Sequence, residues 1–361
     1  MKKFYKFQLI FAFIAVIFSS CVEDKESTPY VPGSEGFQLN SYGQFGKPNT
    51  TSIMGASIFG DDSVTVSQQA YKDQNGEIIG GHVEGFTSNG ELTVITTSLS
   101  EQIIIADTKT LKKIHVINSE VETPRYAAFD GNYAYVTQWG EKKVVDFVYS
   151  YIDPKVHVVN LSTGSIENSF SVGSNPEGIA VVDGKILVAA SNTTEVEVYN
   201  TSDFEKVGSI DVGVHPQHFV YQNNEIWVSL GNGYNPDWSP SFDTAKLGIA
   251  KIDVNGLSYS NFINYPGITN EGNIQPTTNA DEILAIGSGE IVVINTASKN
   301  VDTLIEEAAI TGVAQNPSTN DIYVALTPDY ENPGKCKIYN ESGDEKAEIP
   351  AGVNPVHFIF Y

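Results

Sequence analysis

The chain is poor in positive charge, in cysteine and in long apolar runs. Its 361 residues contain 21 Lys and Arg against 44 Asp and Glu, which gives a formal net charge of −23, and Arg125 is the only arginine. So acidic a chain lacks the cationic surface that binds nucleic acid phosphates or anionic lipids. The two cysteines are far apart in the chain, which excludes a zinc knuckle and a disulfide scaffold. We therefore predict no nucleic acid partner.

Common catalytic motifs are absent as well. The chain has no Gly-x-Ser-x-Gly, no His-Glu-x-x-His, no Cys-x-x-Cys and no phosphate-binding Gly-rich loop before a helix. Aromatic and β-branched residues are plentiful, whereas the 3.6-residue period of an amphipathic helix never persists. These observations predict an all-β protein that is not an enzyme, with no catalytic residue and no cofactor.

The first 20 residues resemble a bacterial lipoprotein signal. Three lysines precede the apolar stretch from Leu9 to Phe18, which is too short to span a bilayer comfortably. The sequence Phe18-Ser19-Ser20-Cys21 then resembles a lipobox, and the alternative is a plain signal peptide with a chance cysteine. We predict cleavage after residue 20 and lipidation of Cys21. This removes three lysines and no acid, so the net charge becomes −26.

Residues 21–35 are predicted to form a flexible tether before a single domain at 36–361. Pro29, Pro32 and Gly33 interrupt this polar segment. The acidic run directly after Cys21 resembles the surface-export signal of Bacteroidetes lipoproteins. The expected location is the outer membrane, facing outward, with membrane contact only through the lipid anchor.

A short phrase recurs along the domain. It is clearest as Asn175-Pro176-Glu177-Gly178-Ile179, His215-Pro216-Gln217-His218-Phe219 and Asn354-Pro355-Val356-His357-Phe358. A degenerate copy begins at Thr123, and weaker echoes lie near residues 82, 274 and 310. After each phrase come short strand-like runs separated by turn dipeptides such as Asp183-Gly184, about four strands in each unit of roughly 40 residues.

Four-stranded units of this length predict a β-propeller. Six units begin near residues 82, 124, 176, 216, 276 and 310. A seventh is split, because Pro355–Tyr361 carries the innermost-strand phrase while the first strands, from Phe37 on, lack an inner partner. Pairing the two ends would close a seven-bladed ring without an open edge. A pair of β-sandwiches, or six or eight blades, are the alternatives.

The repeated phrases would surround one mouth of the central channel. On this alignment the position after each proline equivalent is held in turn by Glu84, Arg125, Glu177, Gln217, Thr277, Thr311 and Val356. Arg125 would lie between the two glutamates. It either fastens three blades as an internal ion pair or donates hydrogen bonds to an anionic or amide-rich ligand.

His218 and His357 follow at the next position of the phrase. Together with Glu84 or Glu177 they resemble the beginning of a metal site. No third ligand is evident, however, so we predict no metal.

Four long loops are expected on the same face. They cover residues 40–50, 138–155, 231–246 and 327–335, and ten of their 54 residues are aromatic, about 19% against 11% for the chain. Loops are usually polar, so the excess indicates either contact surface or packing of the loops onto the disc. The ten aromatic residues are Tyr42, Phe45, Trp139, Phe147, Tyr149, Tyr151, Tyr234, Trp238, Phe242 and Tyr330.

These features resemble the YncE/YVTN-type seven-bladed propellers carried by Bacteroidetes surface lipoproteins. The resemblance rests on segments such as Thr123–Tyr126, Tyr133–Gln138, Asn175–Ile179, Lys185–Ala190 and His215–Gln217, and it covers residues 35–361. In this group the BtuG-type lipoproteins capture cobalamin (vitamin B12) and pass it to a TonB-dependent outer-membrane transporter. Similar propellers serve ferric siderophores.

The resemblance implies capture of a large nutrient, with cobalamin as the first candidate and a TonB-dependent transporter as partner. The alternatives are a ferric siderophore, a glycan, or a protein-interaction disc without a small ligand. Aromatic and amide side chains on the long-loop face would suit a corrinoid. The residues predicted to bind the ligand are Tyr42, Arg125, Tyr126, Gln138, Trp139, Tyr149, Tyr151, Glu177, Asn192, Gln217, His218, Tyr234, Trp238, Tyr330 and His357.

Overall fold

Short antiparallel strands make up most of the chain. The computed structural model describes residues 29–44, 46–58, 63–145, 148–231, 233–234, 240–241, 245–269 and 273–361. The described strands form seven four-stranded sheets and two small hairpins. Each sheet is one blade, and we number the blades 1 to 7 along the chain.

Each of the blades 2 to 4 starts with its innermost strand. Blade 2 consists of β4 (Val83–Ser88), β5 (Leu92–Thr97), β6 (Gln102–Asp107) and β7 (Lys113–Ile117). Blade 3 consists of β8 (Pro124–Asp130), β9 (Tyr133–Gln138), β12 (Lys155–Asn160) and β13 (Ser165–Ser171), with the hairpin β10 (Glu141–Val145) and β11 (Val148–Ile152) inserted. Blade 4 consists of β14 (Pro176–Val182), β15 (Lys185–Ala190), β16 (Glu195–Asn200) and β17 (Lys206–Asp211).

Blades 5 to 7 follow the same plan. Blade 5 consists of β18 (His215–Gln222), β19 (Glu225–Gly231), β22 (Gly248–Asp253) and β23 (Ser258–Asn264), with the hairpin β20 (Gly233–Tyr234) and β21 (Pro240–Ser241). Blade 6 consists of β24 (Ile274–Pro276), β25 (Glu282–Gly287), β26 (Glu290–Asn295) and β27 (Val301–Glu306). Blade 7 consists of β28 (Ile310–Gln315), β29 (Ile322–Leu326), β30 (Pro333–Tyr339) and β31 (Glu345–Val353).

Blade 1 is assembled from both ends of the described chain. It consists of β1 (Glu35–Ser41), β2 (Ser52–Ile58), β3 (Val64–Ser67) and β32 (Pro355–Phe360), in the order β3-β2-β1-β32. Phe37 pairs with Phe360 and Leu39 with Phe358. The inner strands contact one another in the sequence β32, β4, β8, β14, β18, β24, β28 and back to β32. The predicted seven-bladed β-propeller with a split first blade is confirmed.

Strands in the middle of the blades are buried on both faces. In β15, for example, every residue after Lys185 is buried. Such strands are continuously apolar because each blade packs against a neighbour on either side. One cluster accordingly joins Leu187 and Val196 of blade 4 to Val228 and Ile252 of blade 5. The hydrophobic core thus lies between the blades, and it holds the inner strands in register around the channel.

The entry into the inner strand is a second repeated feature. The residue before that strand has a positive φ in five blades, between 49° and 62°, at His82, Thr123, Asn175, Ala309 and Asn354. A bulge follows within the inner strand of several blades, as between Pro176 and Ile179. The bulge re-aims the side chains between these positions.

Tyr30 packs into the domain although it belongs to the predicted tether. It is 2% exposed, and its hydroxyl oxygen lies 2.7 Å from the Tyr361 hydroxyl oxygen and 2.9 Å from the Lys109 carbonyl oxygen. The segment from Ala70 to Asn75 forms the helix α1 beside it and ends at Gly76, and a short 3-10 turn covers Pro48–Thr50. Neither is a candidate membrane span, nor is any other helix in the described ranges.

Candidate functional site

An arginine and two glutamates from three neighbouring blades meet at one mouth of the channel. We call Glu84 of blade 2, Arg125 of blade 3 and Glu177 of blade 4 the clasp. Arg125 Nη1 lies 2.8 Å from Glu84 Oε1, while Nε and Nη2 donate to the two Glu177 oxygens at 3.0 and 3.1 Å. The side chain of Arg125 is only 12% exposed, that of Glu84 7% and that of Glu177 10%. The ion pair expected between the blades is therefore present. The Arg125 guanidinium, whose other expected role was to donate hydrogen bonds to a ligand, is already bound to the two glutamates.

Further contacts fix the Glu84 carboxylate. His82 Nδ1 lies 2.9 Å from Glu84 Oε1, and the Ser98 hydroxyl donates to the same oxygen at 2.9 Å. Burial acts to raise the pKa of Glu84, but the charge of Arg125 and the bond to His82 outweigh it and hold the pKa at about 2. Burial likewise acts to lower the pKa of Arg125, and its two carboxylates hold it above its usual range. Glu84 and Arg125 are therefore ionised near neutral pH.

Aromatic side chains from the long loops cover the clasp. The Arg125 guanidinium carbon lies 4.2 Å from the centroid of the Trp139 ring, close enough for a cation–π contact. Tyr151 of β11 packs edge-on against Trp139 with the ring centroids 4.7 Å apart. The indole Nε1 of Trp139 is buried and has no hydrogen-bond partner among the described residues. An unpaired buried donor of this kind is uncommon in folded proteins and is often associated with function.

Three further predicted residues close the channel below the clasp. We call Tyr126 of blade 3, His218 of blade 5 and His357 of blade 1 the ring layer. The Tyr126 ring packs edge-on against His218 at 4.7 Å and against His357 at 6.0 Å. Tyr42 joins from its loop, with its hydroxyl 3.4 Å from His357 Nε2. Burial lowers the pKa of His357 to about 4, so this imidazole is neutral at pH 7.

Glycines of the intervening blades make room for the ring layer. The ring-layer residues stand two positions after the proline equivalent of their phrase. In blades 2, 4 and 7 the same position is held by Gly85, Gly178 and Gly312. A Cβ on Gly178 would lie 2.3 Å from the Gln217 carbonyl oxygen and 2.8 Å from His218 Cα. Large rings and glycines thus alternate around most of the channel, and the rings meet because the residues between them have no side chain.

Blade 6 departs from the predicted alignment. The other repeated prolines are the first or second residue of their strands, whereas Pro276 is the last residue of β24. Ile274 pairs with Ala285, the fourth residue of β25, as Ile179 pairs with Val188, the fourth of β15. Asn273 therefore holds the ring-layer position of blade 6. The prediction that placed Thr277 at the mouth is wrong, because Thr277 lies beyond the other end of β24.

The other described candidates are more scattered. The Gln138 side chain is 1% exposed, and its Oε1 accepts from the Glu122 amide and lies 2.7 Å from His157 Nε2. Gln217 is buried as well, at 8% exposure. Asn192 is exposed and donates to Ser174 Oγ at 3.3 Å. Tyr330 is 68% exposed, more than any other large hydrophobic residue described.

The side chains of four predicted site residues are not described. Cys21 and Trp238 lie outside the described residues, as do Phe45, Phe147 and Phe242 of the ten loop aromatics. The backbones of Tyr149 and Tyr234 are described, in β11 and β20, but their side chains are not.

Two residues of the site escaped the sequence reasoning. His82 supports Glu84, and Asn273 completes the layer at the channel neck. The signal for His82 was its place two residues before Glu84 in a phrase already recognised. The alternation of glycine and aromatic residues could also have been read from the aligned phrases, and it would have predicted the ring layer.

The arrangement suits binding. Within the described ranges, no group of three His, Cys, Asp or Glu side chains is placed to share a metal ion. The long-loop face presents aromatic surface around a buried ionic cluster. A large ligand approaching this mouth would rest on the loops, because the ring layer blocks its passage into the channel.

Comparisons with known proteins agree with this fold. A family model described as a domain of unknown function, DUF5074, matches residues 43–349. No curated protein matches the chain. A quinoprotein alcohol dehydrogenase-like protein from Bacteroides thetaiotaomicron superposes with a TM-score of 0.66 at 15% identity, covering 91% of this chain and 78% of its own. Hydrazine synthase from Kuenenia stuttgartiensis gives a TM-score of 0.58 at 15% identity, with 75% and 87% covered.

Proposed function

We propose that this chain, which belongs to the DUF5074 family, is a non-catalytic surface lipoprotein that captures a large amphipathic nutrient on its long-loop face. The observation that carries the proposal is the exposed aromatic surface beside a closed channel mouth. Tyr330 is 68% exposed, and the Trp139–Tyr151 pair covers the clasp with an indole N–H that no described residue accepts. Tyrosine and tryptophan bury large areas at low entropic cost while keeping a polar group available.

Cobalamin is the ligand we propose first. A corrinoid is broad, amphipathic and rich in amides, which fits a wide aromatic face better than a narrow channel. The lipobox-like sequence ending at Cys21 and the acidic residues after it support anchoring at the outer membrane, facing outward. In this proposal the bound nutrient passes to a TonB-dependent transporter.

Replacing Tyr330 with alanine should weaken cobalamin binding at least tenfold, because the side chain offers a large exposed contact area. A tenfold change corresponds to about 1.4 kcal/mol. The measurement is calorimetric titration of the mature protein, solubilised in mild detergent, with cyanocobalamin. Tyr221→Ala is the matched control, since Tyr221 is 54% exposed near the end of β18, at the opposite mouth of the channel. Its affinity should stay within twofold of wild type.

Two results would contradict the proposal in different ways. Absence of heat and of co-elution with cobalamin would refute the corrinoid. If a ferric siderophore or a neutral glycan then bound with the same dependence on Tyr330, surface capture would stand with another cargo. Retention of a partner protein while every small molecule is ignored would refute capture itself and favour an interaction disc.

A further inference from the structure

Beneath the ring layer the channel contains a cavity of about 600 Å³. Its walls are the inner strands, and its lining extends from Tyr126, His218 and His357 to turn residues such as Gly90 and Pro317 at the other ends of those strands. The cavity therefore opens on the face opposite the long loops. Its volume lies within the range of about 300–1,000 Å³ that is typical of small-molecule sites.

The cavity has no charged lining. None of the lining residues that the structure describes is Asp, Glu, Lys or Arg, although the chain contains 44 acidic residues. The histidines at its closed end include His357, whose pKa burial lowers to about 4. An ionic ligand would lose its hydration here without gaining a partner of opposite charge, which is costly. The cavity thus selects against ions.

Aromatic rings and uncharged polar groups share the walls. Phe86, Phe219 and Phe358 are among the lining residues, together with Asn273, Gln275 and Thr87, whose side chains carry amides and a hydroxyl. Asn273 is 8% exposed, and neither amide side chain hydrogen-bonds to another described residue. A buried amide without partners has donors and acceptors available for a ligand.

We infer that this cavity is a second binding site, for an uncharged, ring-shaped molecule rich in hydroxyl groups, of the class of neutral glycosides. The apolar faces of a sugar ring pack against phenyl rings, and its hydroxyls pair with amides and hydroxyls. The ring layer separates this site from the long-loop face. The inference therefore does not rest on the capture of cobalamin.

The test compares neutral and anionic probes of nearly equal size. The neutral set contains the 4-nitrophenyl β-D-glucoside, β-D-galactoside and α-D-mannoside, and the anionic probe is 4-nitrophenyl β-D-glucuronide. Calorimetry and ligand-observed NMR on the mature protein should show binding of at least one neutral glycoside. The glucuronide should bind at least tenfold more weakly, because its carboxylate would enter an uncharged cavity.

Variants locate the binding. Gln275→Leu should weaken the neutral glycoside at least fivefold, and Thr87→Val should weaken it as well if its hydroxyl pairs with the sugar. Gln102→Leu, the same chemical change at the start of β6 and away from the lining, should bind like wild type. Circular dichroism and thermal melting check that each variant folds.

Each remaining outcome counts for or against the inference. Tyr330→Ala should leave glycoside binding unchanged, and Gln275→Leu should leave cobalamin binding unchanged, so the two sites can fail separately. Binding of none of the neutral glycosides, equal binding of the glucuronide, or wild-type affinity in both Gln275→Leu and Thr87→Val would overturn the inference. The cavity would then be a water-filled channel.

Discussion

Replacing Arg125 with methionine should lower the free energy of unfolding at pH 7 by about 3–5 kcal/mol, since removing one partner of a buried ion pair leaves an uncompensated buried charge. Here two carboxylates, on Glu84 and Glu177, would lose their partner at once, and both are at most 10% exposed. Trp139 would also lose the guanidinium on which it packs. Urea unfolding followed by tryptophan fluorescence measures the change.

A triple variant distinguishes the effect of the lost charge from the effect of the lost packing. Adding Glu84→Gln and Glu177→Gln to the Arg125→Met variant should recover part of the lost stability, because the buried negative charges disappear. As a control, Lys335→Met should cost at most about 1 kcal/mol, since its pair with Glu348 is exposed. Equal effects of Arg125→Met and Lys335→Met would show that the clasp does not fasten the blades.

The clasp also predicts how the stability of the fold changes as the pH falls. The folded-state pKa of Glu84, about 2, lies below the ordinary value of 4.5. Its contribution to stability is therefore present above pH 4.5 and is lost as the pH falls from 4.5 toward 2. In Arg125→Met the same carboxyl is buried without its cation, so protonation should relieve it. The stability difference between wild type and variant should shrink below pH 4.5, and a constant difference would contradict this account.

Replacing Gly312 with alanine should lower the free energy of unfolding by about 3 kcal/mol, near the upper end of what overpacking usually costs. The new Cβ would lie 1.7 Å from the Val356 carbonyl oxygen and 3.1 Å from Val356 Cα. This contact joins blade 7 to blade 1, where β28 packs on β32 and the Thr311 hydroxyl donates to the Pro355 carbonyl at 2.6 Å. The backbone cannot move aside as a flexible side chain can. The inner strands of blades 7 and 1, which close the ring, must therefore move apart.

Gly208→Ala is the matched control. A Cβ on Gly208 would approach Leu257 side-chain atoms, the nearest at 2.6 Å, and no backbone atom appears among its close neighbours. A leucine side chain can rotate away, so we expect a loss below about 1 kcal/mol. Chemical unfolding of the two variants side by side measures the difference. A wild-type stability for Gly312→Ala would show that the blades at this junction are more loosely packed than the structure indicates.

Much of the clasp could be read from sequence because the repeated phrase supplies an alignment. Once Glu84, Arg125 and Glu177 are placed at one position of consecutive blades, neighbouring inner strands must bring them together. The split first blade followed from the same logic, since Pro355–Tyr361 repeats the innermost-strand phrase without later partners. The structure adds the geometry that resolves the two interpretations of Arg125, namely the bonds of its guanidinium to both glutamates.

The prediction for Thr277 failed because the repeated phrase does not follow the strand register in blade 6. Pro276 resembles the other prolines in local sequence, yet it ends β24 instead of beginning it, so Thr277 was placed at the wrong end of the channel. Gln138 ends β9 near the mouth, as expected from the sequence. Its side chain nevertheless points into the blade toward His157, because the side of a strand on which a residue lies depends on how the strands pair and pack.

By itself, the amino-acid sequence determined the all-β class, the repeat, the seven blades and the closing of the ring, since these depend on local patterning and on counting. Only the tertiary structure decided what fills the channel. Tyr126, His218 and His357 can touch because the blades between them carry Gly85 and Gly178, which have no side chain, at the same position. Below these rings lies the uncharged cavity. Such an arrangement depends on contacts between residues more than 90 positions apart, which no local pattern encodes.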